Sequence, residues 1–393
     1  MKILYVTAIE LDCDGGPTTH VVEIIRQWHR LGHDVLLLTP PFSRTLAGMP
    51  DRVRHFPFAG YSVLRRLVSY ACLFVLLVWH LARFRPDAVY ERQMEYNPFV
   101  FWACRLLRVP LFVELNGLMV EDLRQTPAPA LAIRAHAMVE RSELTFSTGI
   151  TCTSARLKEK ICARGAALCR KTQAVPNGVN RALFRPMDRA VCRQRMGLGA
   201  RVKVIGFVGT FSHLHQPEQA VRSFARVRGA IQDARLLMVG DGPRRKGCEQ
   251  LAQNLGVSSH VTFTGLLQYE EVPVAINCMD VGLVIASRER LVREGVVAFK
   301  FQELLACGCP VVAHFLKPEE SVRYSGVAKM APVGDEAALD RALFELLGNP
   351  AEAAHMAERA LRYVAEHVSW EKSAQLSIDF MSRMIKRGPV ADE

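Results

Sequence analysis

Two short stretches decide the fold: VKVIGFVGT at 202–210 and LLMVGDGP at 236–243. Each is an apolar run that stops at glycine, Gly209 in the first and Gly240-Asp241-Gly242-Pro243 in the second. Residues 212–228 between them have helical spacing. Strand, helix and strand in this order form the unit of a parallel sheet, whose strands are apolar throughout because helices cover both faces. The alternation continues at Val261–Phe263, Val281–Ile285 and Pro310–Ala313. The first half of the chain has a series of its own. It runs from a strand at Ile3–Thr7 through a turn at Asp14-Gly15-Gly16-Pro17 to a helix at Thr18–Leu31 that Gly32 stops. Strands follow at Val35–Thr39, Asp87–Glu91, Leu111–Leu115 and Ile150–Thr153. Two series in 393 residues predict two doubly wound α/β domains. The turn-rich stretch from Val175-Pro176-Asn177-Gly178-Val179 to Phe184-Arg185-Pro186 reads as the hinge. That gives domains at 1–185 and 186–369. Residues 351–386 read as helical, with the segment near 370–387 expected to pack back on the first domain.

The composition, 50% hydrophobic and 23% charged, excludes a disordered or collagen-like chain. The formal charge of +11 favours anionic partners such as phosphate esters or acidic lipid. No motif or aromatic platform for nucleic acid accompanies it. The 11 cysteines show no zinc spacing, and reduced thiols in a cytosolic compartment are expected. The opening MKILYVTAIE reads as a strand, its apolar run too short for a signal peptide. Residues 67–82, LVSYACLFVLLVWHLA, are nearly all apolar. Sixteen residues fall short of the roughly 20 that span a bilayer. Two readings stay open: a helix buried against the sheet, or one lying in the membrane interface with basic ends on anionic headgroups. From Arg52 to Arg108 there are nine arginines and three carboxylates, a local excess of positive charge that brings the membrane reading level with the buried one.

Glycines cluster where strands meet helices, the place where open α/β sheets bind ligands. Gly15-Gly16, Gly209-Thr210 and Gly240-Asp241-Gly242 all qualify. The dinucleotide fingerprint and the P-loop are both missing, and Asp12-Cys13-Asp14 is too short a pattern to imply a metal. The stretch from Ser287 to Ala313 carries more information. Arg288, Arg290, Arg293 and Lys300 form a basic loop that leads into a helix opening near Ala298, with Gly308 closing the helix and Pro310 starting a strand. Side chains, amides and helix dipole of one sign suit a diphosphate. Glu303, one turn inside, is placed to meet ribose hydroxyls. The plain alternative is a solvated loop before a structural helix.

The chain resembles retaining family-4 glycosyltransferases of GT-B fold, in which two Rossmann-like parallel-sheet domains face a central cleft. Val175-Pro-Asn-Gly-Val-Asn with Phe184-Arg-Pro186 is similar to their hinge, and Gly209 through Gln216 stands at their phosphate motif. Leu236 through Pro243 and Val261 through Gly265 match two further signature strands. Phe299-Lys-Phe-Gln-Glu-Leu-Leu-Ala-Cys-Gly-Cys-Pro-Val-Val312 looks like their K-x-x-E-x-x-A-x-G-x-P-V-V element. Leu31-Gly-His-Asp-Val35, Tyr90-Glu-Arg92 and Val113-Glu-Leu-Asn-Gly117 agree more loosely, and the similarity runs to Val368-Ser-Trp370.

Residue by residue, the resemblance implies that Gly15, Gly16, Gly209 and Gly240 border the donor's phosphates. Glu303 would hold the ribose, and amides near Val297–Phe299, with Ala298 among them, would cap the diphosphate. Asn116 stands where many relatives place a sugar-contacting histidine. Thr210 and His215 occupy the positions of the usual arginine and lysine, so Lys300, Arg290 and Arg288 become the candidate cations. The first glutamate of the family's E-x7-E element falls on Gly295, with Glu294 one residue early. The implied reaction is transfer from a nucleotide-diphosphate sugar with retention, catalysed by Lys300, Arg290 and Asn116 without metal or cofactor. A lipid-linked acceptor, surface-polysaccharide or glycolipid synthesis, and a cytoplasmic protein in peripheral membrane contact through residues 65–85 are further expectations. A sugar-nucleotide epimerase of the same architecture would need paired carboxylates and histidines, and His20, His136 and His215 read as structural or phosphate-facing instead. A catalytically inactive scaffold relative is the other alternative.

Overall fold

The computed structural model describes residues 1–12, 15–43, 49, 52–57, 63–123, 129–295 and 299–387. The chain divides into two compact units, Met1–Asn177 with Trp370–Glu393, and Gly178–Ser369. The division comes ahead of the expected residue 185, because Val179 and Phe184 are already buried in the core of the second unit.

Unit 1 holds a seven-stranded sheet of β1 (Lys2–Val6), β2 (Asp34–Thr39), β3 (Val53–His55), β4 (Ala88–Arg92), β5 (Leu111–Leu115), β6 (Gly149–Cys152) and β7 (Thr172–Ala174). Its order is β3-β2-β1-β4-β5-β6-β7, parallel throughout. Unit 2 holds β8 (Lys203–Val208), β9 (Ala234–Val239), β10 (Val261–Gly265), β11 (Val281–Val284), β12 (Val311–Phe315) and β13 (Lys329–Pro332). These are ordered β10-β9-β8-β11-β12-β13, again parallel. In each sheet the strand order reverses beside its first strand, between β1 and β4 and between β8 and β11. Such a switch point opens a crevice at the carboxyl ends of the two strands, where ligands of open α/β sheets bind.

The apolar runs are buried for the reason they are apolar. Along β8, Val204 and Val208 enter one core while Ile205 and Phe207 enter another on the opposite face. Each such side chain contributes about 1.5–3 kcal/mol on burial. The helix expected at 212–228 begins at Pro217 and ends at Ala230. Proline suits the first helical turn, whose N–H groups have no intrahelical acceptor, and the residues before it make a turn with His215 N donating to Ser212 O. The stretch expected as a basic loop is also different. It is a helix, Arg288–Glu294, with the Ser287 side chain accepting from the Arg290 amide as N-cap. The helical stretch at 351–386 is two helices, Pro350–His367 and Trp370–Arg387, separated at the return to unit 1. The second packs on the helix Gly16–Arg30, where Trp28 Nε1 donates to Ser377 Oγ at 2.9 Å.

The cysteine expectation needs one correction. Cys162 and Cys169 form a disulfide, seven residues apart on neighbouring helices, while Cys72, Cys104, Cys152, Cys192, Cys248, Cys278, Cys307 and Cys309 are free. The apolar segment forms the helix Val63–Phe84. Tyr70, Leu73, Leu77 and Leu81 fill the unit 1 core from one side of it. Among the described residues, no helix is long and apolar enough to cross a membrane.

Candidate functional site

The carboxyl ends of β8 and β11 concentrate positive charge in unit 2. Gly209 follows β8 at φ +145°. A Cβ built there would lie 2.6 Å from Lys300 Nζ, so only glycine leaves the ammonium its place. Lys300 is buried on the helix Phe299–Ala306, with its ammonium 5.4 Å from the centre of the Phe207 ring. Gly240, at the end of β9, packs on the same loop: a Cβ on it would meet the Gly209 carbonyl oxygen at 2.1 Å. Burial, then Lys300 and Arg290, push the His215 imidazole down to about 3. His215 is therefore neutral at ordinary pH, and it shares a 3.0 Å hydrogen bond with Ser212 through Nδ1. Lys300 and Arg290, the latter 3% exposed, add to the effect of burial on this imidazole.

Glu303 lies one turn along from Lys300 and is buried. Burial raises its carboxyl to about 7 even though Lys300 pulls it down. Thr210 and Arg288 are exposed, and Phe299 is half-buried at the helix start. Gly295 closes the Arg290 helix, donating its amide to Leu291 O at 3.1 Å. Glu294 is the last residue of that helix, its side chain outside the described set, and Val297 and Ala298 lie outside the described residues altogether. Of the expected cations, then, Lys300 and Arg290 gather with His215 at the strand ends, whereas Arg288 faces solvent.

In unit 1 the expected residues meet a network that sequence reading missed. Gly15 caps and Gly16 opens the helix Gly16–Arg30 after β1. His20, one turn in, is paired rather than merely structural. Its Nε2 lies 2.8 Å from Glu114 Oε2 and its Nδ1 2.7 Å from Asn177 Oδ1. Glu114 Oε1 accepts from Arg92 at 2.6 Å and from Asn116 Nδ2 at 2.7 Å. Burial alone would raise the Glu114 carboxyl, but His20, Arg92 and these hydrogen bonds hold it down at about 2. Arg92 and Glu114 face each other in the register of β4 on β5. Charged residues at the ends of two buried strands, in Tyr90-Glu-Arg92 and Val113-Glu-Leu-Asn116, were the available signal. His136, by contrast, is buried and accepts from the Tyr96 amide at 3.1 Å. Among the described residues no group of histidine, cysteine and carboxylate side chains is arranged to hold a metal ion.

Two switch-point sheets, with buried cations near the strand ends of one of them, define a class, the GT-B pair of Rossmann-like domains. Comparison with known proteins agrees. Residues 14–183 match glycosyltransferase family 4 and residues 202–349 match glycosyl transferases group 1. The chain belongs to these glycosyltransferases. It is 28% identical over 251 residues to the 2-deoxystreptamine glucosyltransferase of Streptomyces kanamyceticus, covering 63% of each chain. It is 25% identical over 400 residues to the D-inositol 3-phosphate glycosyltransferase of Thermobispora bispora, covering 95% of this chain and 91% of that one. With the first three curated relatives the match spans only 32% to 63% of their own length. The fold is similar to that of Anabaena HepE in complex with UDP-glucose, at a TM-score of 0.76 and 18% identity, over 98% of this chain and 100% of that one.

Proposed function

We propose that the protein is a retaining glycosyltransferase that moves a sugar from a nucleotide-diphosphate sugar, without metal or cofactor, to a hydroxyl of a lipid-linked acceptor in surface-polysaccharide or glycolipid synthesis. The observation that carries the reading is the Lys300 ammonium buried against Gly209 at the end of β8, with Arg290 buried on the helix that follows β11. Buried cations at strand ends favour a diphosphate, and they favour it most as negative charge builds on it. In the reaction the bond from the anomeric carbon to the phosphate oxygen breaks, and a bond to the acceptor oxygen forms on the same face. The leaving phosphate oxygen takes the acceptor's proton, so no carboxylate nucleophile is needed. Glu303 would receive ribose hydroxyls. A panel of UDP- and GDP-sugars in a thermal-shift assay identifies the donor, because a ligand of the folded state stabilises it by mass action. Transfer with an assigned product anomer then tests the reaction. Lack of stabilisation by every sugar nucleotide, with no transfer, refutes the reading.

Membrane contact is part of the same proposal. On the helix Val63–Phe84, Val68, Val75 (67% exposed) and Trp79 (57%) face out, and Trp102 (51%) and Leu106 do so on the neighbouring helix Phe99–Leu107. Phe99 joins the two, touching Phe74 and Trp102. Arg83, Arg85, Arg105 and Arg108 are exposed around this apolar face, and neither helix has an acidic residue. Such a face suits the cytoplasmic surface of an anionic bilayer. Sedimentation with phosphatidylglycerol vesicles, reversed by salt, supports the contact. Failure to sediment at low salt refutes it.

A further inference from the structure

Asn116 follows β5 directly and is exposed, while Glu114, two residues earlier on the same face, is buried. An asparagine amide has two ends that only its hydrogen-bond partners distinguish. Glu114 makes that distinction. Held by Arg92 at 2.6 Å and His20 at 2.8 Å, its carboxylate offers acceptors alone. Only Nδ2 of Asn116 can make the 2.7 Å contact to Oε1, and the reversed amide would set two oxygens against each other. The carbonyl oxygen Oδ1 is thereby turned away from Glu114, on an exposed side chain at the carboxyl edge of the sheet.

We propose that Glu114 is a positioning residue, which presents Asn116 Oδ1 as a hydrogen-bond acceptor for a hydroxyl of the sugar. The proposal rests on the transferase reading above and adds a specificity to it. A histidine at position 116 would offer a donor or an acceptor according to its tautomer. Asparagine tied to Glu114 demands a substrate group that donates. A sugar in which that hydroxyl is replaced by hydrogen or fluorine leaves Oδ1 without a partner, the situation in which a polar site discriminates most strongly.

The test has two readouts in the full-length protein. The first is the side-chain amide of Asn116 in a nitrogen–proton correlation spectrum, identified by its loss in Asn116→Ala. The proposal predicts a pair of resonances separated by the bond to the carboxylate, collapsing toward ordinary amide positions in Glu114→Gln. The second is turnover of UDP-glucose against its 3-, 4- and 6-deoxy and deoxyfluoro analogues. Wild type should disfavour one position by at least ~10-fold in kcat/KM, and both Glu114→Gln and Asn116→Ala should reduce that preference to within about twofold. An unchanged Asn116 amide in Glu114→Gln overturns the proposal. So does a uniform loss of kcat on every analogue with the preference retained, which marks Glu114 as structural only. Should Glu114→Gln fail to fold, Asn116→Ala decides alone, and full preference in that variant overturns the proposal. If UDP-glucose is not turned over, the analogue series is run on the donor found in the thermal-shift panel; failure of every donor counts against the transferase reading, and the spectrum still decides the role of Glu114.

Discussion

Replacing Gly209 by alanine tests the cationic site at its tightest point. The added methyl would stand 2.6 Å from Lys300 Nζ, with Cδ and Cε of the same side chain at 3.4 and 3.5 Å. Non-bonded atoms settle at roughly 3.5–4.0 Å, so the ammonium must retreat by about 1 Å while its stem stays nearly in place. A displacement of that size costs on the order of 100-fold when it misplaces a group that acts on the reacting atoms, or about 2.7 kcal/mol of transition-state stabilisation. The strain of an alanine at φ +145° adds about 1–3 kcal/mol to the folded state. Gly240→Ala is the contrasting variant. Its methyl would meet the Gly209 carbonyl oxygen at 2.1 Å and the carbonyl carbon at 3.0 Å, backbone atoms that have no rotamer to retreat into. Initial-rate kinetics and urea unfolding on both variants separate the effects. Gly209→Ala should lose mainly kcat, and Gly240→Ala mainly stability, on the order of 3 kcal/mol or more. Full activity in Gly209→Ala, with unchanged affinity for UDP, refutes the idea that the Lys300 ammonium acts from where it stands.

Two pH effects follow from buried carboxyls. Glu143 is pushed up to about 8 by burial, despite a hydrogen bond from Gln93, and Glu91 beside it is raised well above the carboxylate range by burial and by Glu143. The folded state therefore holds protons that the unfolded chain releases above about 4.5, and stability falls as pH rises from there to about 8. Glu143→Gln should raise the Tm, by more at pH 8 than at pH 5.5; an equal shift at both refutes the assignment. Glu303, raised to about 7 by burial, can accept two hydroxyls through both oxygens only when ionised, as the ribose role proposed for it requires. Calorimetric titration should show UDP binding more tightly at pH 8 than at pH 6, and this dependence should vanish in Glu303→Gln. Lys300→Met should raise His215 above about 3, as followed by proton resonance, while burial, the larger cause, still holds it below its usual range; an unmoved His215 refutes the influence of the Lys300 charge on it.

The fold was legible because buried parallel strands declare themselves. Leu111–Leu115 is apolar except for Glu114, has both faces covered, and appears unaltered as β5. The strands that escaped notice lie toward the sheet edges: β3 reads Val-Arg-His, β7 Thr-Gln-Ala and β13 Lys-Met-Ala-Pro, each three or four residues long and partly exposed. No pattern distinguishes such segments from loop. The Arg290 helix did carry a signal, since Ser287 is a good N-cap, but the density of arginines suggested a loop. The His20–Glu114 pair lies outside what a single sequence can show. Its partners are 94 residues apart, and only the sheet brings β5 beside the first helix. The Cys162–Cys169 bond joins two short helices whose reversal at Gly165 has no apolar pattern of its own.

The charge on Lys300 is the point to measure. Transfer from the donor found in the thermal-shift panel, compared between wild type and a folded Lys300→Met, reports whether that ammonium stabilises the departing diphosphate. The account predicts a fall in kcat of about 100-fold or more, the size seen when an enzyme loses one donor to a developing oxyanion. Turnover in the variant within twofold of wild type would contradict it.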